Sequence, residues 1–333
     1  MNQPDDANPF DDPRRKALAA WVGERFGVAP PSLEPASSDA SFRRYFRARL
    51  AGRTLVCMDA PPAQEDCRAF VHVAALLRGS GVNAPEVLAQ DLERGFLALS
   101  DLGTTTYLEA LDADNADALF ADAWQALIRW QRTSRAGVLA PYDRALLRRE
   151  LALFPDWYLG AHLGVRLDTA RRDALDAVFR RLEDEALGQP RVFVHRDFMP
   201  RNLMLSAPNP GVLDFQDAVY GPVAYDVTCL FKDAFISWDE ERVSGWWHQY
   251  WTEARRAGVP VHGRFDDFRR ACDLIGLQRH LKVAGIFARI RYRDGKPRYL
   301  EDAPRFLRYI RATAARYTEF APLLRLLDEA GAP

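Results

Sequence analysis

Apolar residues alternate with polar ones in the first third of the chain and recur at helical spacing in the rest. Leu18, Trp21, Val22 and Phe26 share one face of a helix predicted over 13–26. The stretch APPSLEP at 29–35 breaks the chain. FRRYFRARL at 42–50 and RTLVCMD at 53–59 then read as strands, with Ala51-Gly52 as a hairpin turn between them. Residues 64–78 put Phe70, Val73, Ala74 and Leu77 on one helix face, and strands at 86–91 and 95–101 follow across a charged turn. From Thr104 onward the period is helical, over 115–135, 143–161 and 168–187. Short strands at 191–194, 203–206 and 211–215 interrupt it, and helices resume at 223–235, 239–257, 265–291 and 302–330. This order predicts an α+β fold with a small sheet-rich N-lobe over 1–101 and a larger helical C-lobe over 102–333. Composition does not shift at the join, so the expectation is two packed lobes with a cleft.

Composition narrows the function classes. The 333 residues are 48% hydrophobic and 27% charged, with a formal net charge of −1, so no global charge attracts nucleic acid or an anionic membrane. Cys57, Cys67, Cys229 and Cys272 form no CxxC pair and read as small core residues. The polar start MNQPDDANPFDDPRRK has no apolar segment, and no stretch approaches the 18 apolar residues of a membrane span. The expectation is a cytoplasmic monomer.

Chemistry concentrates in VFVHRDFMPRNLMLSAPNPGVLDFQDAVYGP, residues 191–221. A strand ending at Val194 delivers Asp197 to the loop beyond it. The chain must turn at Met199-Pro200 to bring Asn202 back, and Val212-Leu213 lead into Asp214 at the end of another short strand. Two carboxylates and one amide oxygen, if they converge, make an all-oxygen set suited to Mg²⁺, which takes one or two carboxylates plus substrate phosphates. The plain alternative is a pair of buried strands with acids in their turns.

H-x-D-x-x-x-x-N followed by an apolar-D-F resembles the catalytic and metal loops of the protein-kinase-like fold. Gln216 stands where protein kinases carry the glycine of D-F-G, which turns the resemblance toward the aminoglycoside-phosphotransferase type of small-molecule kinase. SSDASFRRYFR at 37–47, MDAPP at 58–62, HRDFMPRNLM at 195–204, DFQDAVYGPVAYD at 214–226 and QRHLKVAGIFARIRYRDGKPRYL at 278–300 together resemble the bacterial anomeric amino-sugar kinases, over most of the chain. That resemblance implies a bilobal protein-kinase-like fold, ATP and Mg²⁺ as cofactors, and a small-molecule amino-sugar substrate. The substrates implied are N-acetylmuramate and N-acetylglucosamine, phosphorylated at the C1 hydroxyl in peptidoglycan recycling. By the same resemblance Asp197 is the base, Asn202 and Asp214 hold Mg²⁺, His195 braces the loop, and Asp217 and Asp226 support the loop and the following helix. Two alternatives stay open: a kinase for a hydroxyl on an aminoglycoside or amino alcohol, and a nucleotide-binding pseudokinase. The Arg-rich stretch 279–293 does not suit polycationic aminoglycosides, and intact Asp197, Asn202 and Asp214 argue against a pseudokinase.

The resemblance places a phosphate-covering hairpin at SSDASFRRYF, without its G-x-G-x-x-G pattern. Small residues there, Ser38 and Ser41 among them, allow backbone N–H groups to approach phosphate. Arg43 or Arg44 can supply positive charge, and alternation sends the two to opposite faces. The lysine that protein kinases carry on the third strand is missing from Leu55-Val56-Cys57-Met58-Asp59, which leaves Glu65 and Asp66 without that partner. Arg201 can neutralise transferred charge or pair with surface acids. Position makes Leu99, Ser100, Asp101 and Leu102 the hinge that adenine meets. For the sugar, Glu150 and Asp156 offer acids and Trp157 a stacking face, against the alternative of helix core. Arg279, His280 and Lys282 form a basic cluster suited to the lactyl carboxylate of N-acetylmuramate, or else a solvated helix face.

Overall fold

The computed structural model describes residues 12–37 and 42–332. The chain divides into two compact units. One runs up to Thr105 and also takes in Met204–Gln216; the other holds Thr106–Leu203 and the chain from Asp217 on. These are not the contiguous pieces 1–101 and 102–333: the segment that carries Asp214 packs with the N-terminal unit.

The first unit opens with α1 (Pro13–Phe26), capped by the Asp12 side chain on the Arg15 N–H and ended by Gly27 in the left-handed region. Its sheet is built from β1 (Leu33–Ser37), β2 (Arg44–Leu50), β3 (Arg53–Asp59), and, after α2 (Cys67–Gly79), β4 (Val87–Asp91) and β5 (Phe96–Ser100). The order is β1-β2-β3-β5-β4, with every neighbouring pair antiparallel. The two-residue side-chain period brings Phe46, Ala48, Leu55, Cys57, Phe96 and Ala98 to one face, against Leu18, Trp21 and Val22 of α1. The break predicted over 29–35 is in part strand. Pro35 sits opposite Phe46 on the edge strand β1, where a missing N–H is tolerated, and the register slips between Pro35 and Ser37.

The second unit holds α3 (Tyr107–Ala110), α4 (Ala116–Gln131), α5 (Arg144–Leu153), α6 (Thr169–Leu187) and β6 (Arg191–Val194). The ribbon of β7 (Leu203–Met204) and β8 (Gly211–Val212), which from Met204 on belongs to the first unit, precedes β9 (Val219–Pro222), which pairs with β6. Then come α7 (Ala224–Phe231), α8 (Glu240–Arg256), α9 (Phe265–Asp294), α10 (Ala303–Arg316) and α11 (Ala321–Glu329). Two predicted helices change character. α5 runs into a π-helical stretch at Phe154–His162, and the helix predicted over 302–330 is split by a 3-10 turn at Thr318–Phe320.

α9 is the axis of this unit. Its Leu274, Leu277, Leu281, Ala284 and Phe287 join one core with Phe154, Tyr158, Leu175, Phe306 and Ile310. Because α9 is enclosed for most of its circumference, its polar side chains also point inward. Gln278, Arg279, His280 and Lys282 are all under 10% exposed, so the solvated-face alternative does not hold. The four cysteines are buried and unpaired. No described helix is long and apolar enough to cross a membrane.

Candidate active site

The apolar strand β6 ends at Val194, opposite Val219 of β9, and the polar loop begins there. Asp226, fully buried in the first turn of α7, accepts the N–H of His195 at 2.7 Å and of Arg196 at 3.0 Å. Burial pushes this carboxyl up to about 7 against the pull of those two donors. The clamp holds a bent backbone. Arg196 (φ 77°) and Asp214 (φ 62°) are the non-glycine residues at positive φ among those described, a conformation that persists only where surrounding contacts enforce it. His195 is a brace, as its place in the loop implied: its Nδ1 accepts the Asp197 N–H at 3.3 Å, and its ring meets Trp130 and Phe198 edge-on. Arg196 turns inward to Glu150 and to the Asp217 carbonyl. Asp197 is half-buried, and Asn202, ending a 3-10 turn, donates Nδ2 to the Asp197 carbonyl at 2.9 Å. Asp197 and Asn202 are thus brought together.

Asp214 lies in the other unit, exposed, with Gln216 Nε2 donating to its Oδ1 at 2.9 Å. Gln216 therefore steadies the carboxylate from the position where protein kinases have glycine. Phe215 is buried against Phe70 of α2, ring centroids 4.7 Å apart. Among the described residues no group of three His, Cys, Asp or Glu side chains is placed to hold a metal. Mg²⁺ does not require one, since substrate phosphates and water fill most of its octahedron. The donor chemistry fits that ion: a carboxylate on Asp214, and on Asn202 a side-chain amide, which offers an oxygen donor and whose nitrogen donates to the Asp197 carbonyl.

On the nucleotide side, Ser38 and Ser41 lie outside the described residues. Arg44 is not a phosphate ligand here: Asp59, itself fully buried, and Asp12 both hold its guanidinium, and Arg14 adds a bond to Asp59 at 2.8 Å. Arg43 points elsewhere, to Glu65 at 4.0 Å, just ahead of α2. A cation and an acid are thereby paired in this unit, with arginine on β2's approach in place of lysine on β3. Leu99 is buried in β5, and Ser100 exchanges bonds with the Glu86 backbone. Asp101 is ion-paired with Arg47 at 2.7 Å; burial raises its carboxyl, and Arg47 with the Gly103 N–H brings it below the usual range. The side chain of Leu102 packs against Gly211.

On the sugar side, several expectations change. Glu150 is buried and saturated: Tyr142, Arg196, Gln278 (3.0 Å) and Lys282 (2.8 Å) all reach its carboxylate. Burial pushes it up, but Lys282 and Arg196 outweigh that and hold it at about 2. It is an internal counter-ion, not a sugar ligand. Lys282 is consumed by the same pair. Trp157, in the π-helical stretch, is partly buried and packs against the core. His280 stacks on Tyr309 at 4.8 Å, and burial holds its ring well below the usual imidazole range, so it carries no charge for a carboxylate. Arg279 remains: buried, charged, with Nη2 at 3.7 Å from Met199 Sδ, beside the Asp197 loop. Sequence reasoning missed Asp233 and Tyr142 near this loop, because neither belongs to a spaced motif.

The family model described as the phosphotransferase enzyme family matches residues 32–259. The chain belongs to the phosphotransferase enzyme family. It is a phosphotransferase with an alcohol group as acceptor, on the protein-kinase-like fold. This phosphotransferase is 60% identical to a Pseudomonas aeruginosa protein named N-acetylmuramate/N-acetylglucosamine kinase, over 95% of this chain and 97% of the relative. Among solved structures it resembles an ADP-bound aminoglycoside phosphotransferase, APH(2'')-Ib (TM-score 0.55, 14% identity, 88% of this chain and 97% of the other). It also resembles the choline kinase LicA from Streptococcus pneumoniae (TM-score 0.59, 14% identity, 90% and 99%).

Proposed function

We propose that this phosphotransferase moves the γ-phosphoryl group of ATP to the anomeric C1 hydroxyl of N-acetylmuramate and N-acetylglucosamine. The observation that carries this reading is the 60% identity, over nearly the whole of both chains, to a kinase named for those two sugars. In the reaction the C1 oxygen bonds to phosphorus, the bond from phosphorus to the ADP oxygen breaks, and the hydroxyl proton passes to Asp197. Asn202 and Asp214 would hold Mg²⁺, which when bound offsets negative charge on the phosphates. Arg43, steadied by Glu65, takes the place of the missing lysine on the phosphates, and the backbone at 99–102 receives adenine. We place the step in the cytoplasm, in a monomer, in peptidoglycan recycling. The test is a panel of amino sugars, aminoglycosides and amino alcohols with ATP, following ADP release. The expected result is turnover on the two named sugars with a C1 phosphate seen by NMR. Turnover confined to another acceptor, or phosphate on another oxygen, overturns it.

A further inference from the structure

The second unit seals two complementary polar atoms beside the catalytic loop and gives neither a partner. Asp233 is 0% and Arg279 3% exposed, and neither forms an ion pair with any described residue. Arg279 makes one weak contact, to Met199 Sδ, and its Nη1 has no hydrogen-bond partner. Asp233 Oδ1 accepts the Ala234 N–H at 2.6 Å, while Oδ2 has none. Neighbouring contacts gather both into one corner. His280, next to Arg279, lies 3.4 Å from the carbonyl of Lys232, next to Asp233. Arg201 lies over the ring of Phe235 at 4.7 Å, and Cys229 Sγ donates to the Arg196 carbonyl at 3.3 Å. So the stretch 229–235, the loop 196–201 and the middle of α9 converge. Arg279 attracts both Asp233 and Asp197. Burial pushes the Asp233 carboxyl up to about 6, with Arg279 and the backbone N–H groups of Ala234 and Phe235 pulling the other way. A buried donor or acceptor left open is costly, and native interiors seldom keep one without a use.

We propose that Asp233 Oδ2 and Arg279 Nη1 form a subsite that reads one ring hydroxyl of the sugar. A hydroxyl is both donor and acceptor, so it can give its proton to the carboxylate and take one from the guanidinium. An ammonium group would meet Arg279 unfavourably and a carboxylate would meet Asp233, so the pair selects a neutral polyol face. The stretch 232–239 has neither helix nor strand, and this wall must yield for the hydroxyl to enter. The inference rests on the sugar-kinase reading above and adds to it which side chains sort one sugar from another.

The test uses wild type, Asp233→Asn and Arg279→Gln with N-acetylglucosamine and its monodeoxy analogues, following ADP release, with ADP affinity and thermal melting measured alongside. One deoxy analogue is expected to lose at least ~10²-fold in wild-type kcat/KM, the mark of a site built around a hydroxyl. Each variant should turn over the parent sugar poorly and lose less than about 3-fold more on that same analogue, because the reader is already gone. Wild type indifferent to every ring hydroxyl overturns the subsite, and this arm needs no variant to fold. Variants that keep the wild-type sensitivity, or that lose only thermal stability as a pair bridged by a structural water would, also overturn it. Wild type that releases ADP with neither sugar defeats the kinase reading itself, a separate result.

Discussion

At the scale of single residues, the catalytic loop is held by atoms that do no chemistry, and this lets substitutions separate roles. Asp197→Asn keeps the shape of the side chain and removes the proposed proton acceptor, so turnover should fall at least ~10²-fold while ADP binding is retained. Unchanged turnover would remove Asp197 from the mechanism. Glu150 works differently. It answers the buried charges of Arg196 and Lys282, and its carboxyl sits at about 2, against an ordinary 4.5. A depressed carboxyl is ionised in the folded state where the unfolded chain would bind a proton. Its contribution, about 3 kcal/mol, is therefore complete above about pH 4.5 and disappears as pH falls toward 2. Glu150→Gln should lower stability by about 3–5 kcal/mol at neutral pH, because two cations lose their counter-ion, and should flatten that part of the acid limb. Urea midpoints measured across pH read both effects; a variant as stable as wild type would show that Glu150 is not the hub of this network. The sequence offered Glu150 only as an acid for sugar hydroxyls beside an aromatic, since its four partners come from three separate places in the chain: Tyr142, Arg196, and Gln278 with Lys282 on α9.

At the scale of elements, legibility followed how local the deciding contacts are. α1 begins and ends where its Pro, Asp cap and glycine say it should. β2 alternates, β3 and β5 are short runs bounded by turns, and the limits of all three fall within two residues of those the sequence predicts. β1 was hidden by Pro35 and the prolines just before it; Pro35 is harmless because the strand is at the edge. The π-helical stretch was hidden because its apolar residues, Phe154, Tyr158 and Leu159, satisfy helical spacing whichever hydrogen-bond step is used. α9 misleads in the other direction. Charges at 279 to 282 read as a wet face, yet neighbouring helices surround the helix. Gly285 shows how tight that enclosure is: an added Cβ would stand 2.4 Å from the Leu153 carbonyl carbon and oxygen, both backbone atoms. Alanine is the better helix former by about 1 kcal/mol, but this contact cannot relax without moving α9 off the end of α5. Gly285→Ala should therefore destabilise, by about 1–3 kcal/mol in chemical denaturation. A gain in stability would mean that α9 and the end of α5 can separate at little cost.

At the scale of the whole molecule, the residues assigned to one ion belong to two compact units: Asn202 to the larger, Asp214 to the smaller. The motif spacing names them together because it counts along the chain, while packing assigns the 204–216 segment to the sheet-bearing unit. Sequence could therefore suggest which side chains cooperate but not that they are supported by separate cores, Phe215 by Phe70 on one side and the Asp197 loop by Asp226 on the other. The proposed shared ion gives this arrangement a thermodynamic signature. If Asn202 and Asp214 hold the same Mg²⁺ against the nucleotide, removing either should abolish most of the metal-dependent part of ADP affinity, and removing both should cost little more than removing one. Residues that serve one ligand give interaction energies of about 0.5–3 kcal/mol in a double-mutant cycle, whereas independent sites add within about 0.5 kcal/mol. Isothermal titration of ADP with and without Mg²⁺, on wild type, Asn202→Ala, Asp214→Ala and the double variant, measures that coupling. Phe70 and Asp226 are untouched by these changes, so the folds of the two units serve as their own control by circular dichroism. Additive losses, or metal-dependent ADP binding at wild-type strength in Asp214→Ala, would assign the two side chains to different tasks.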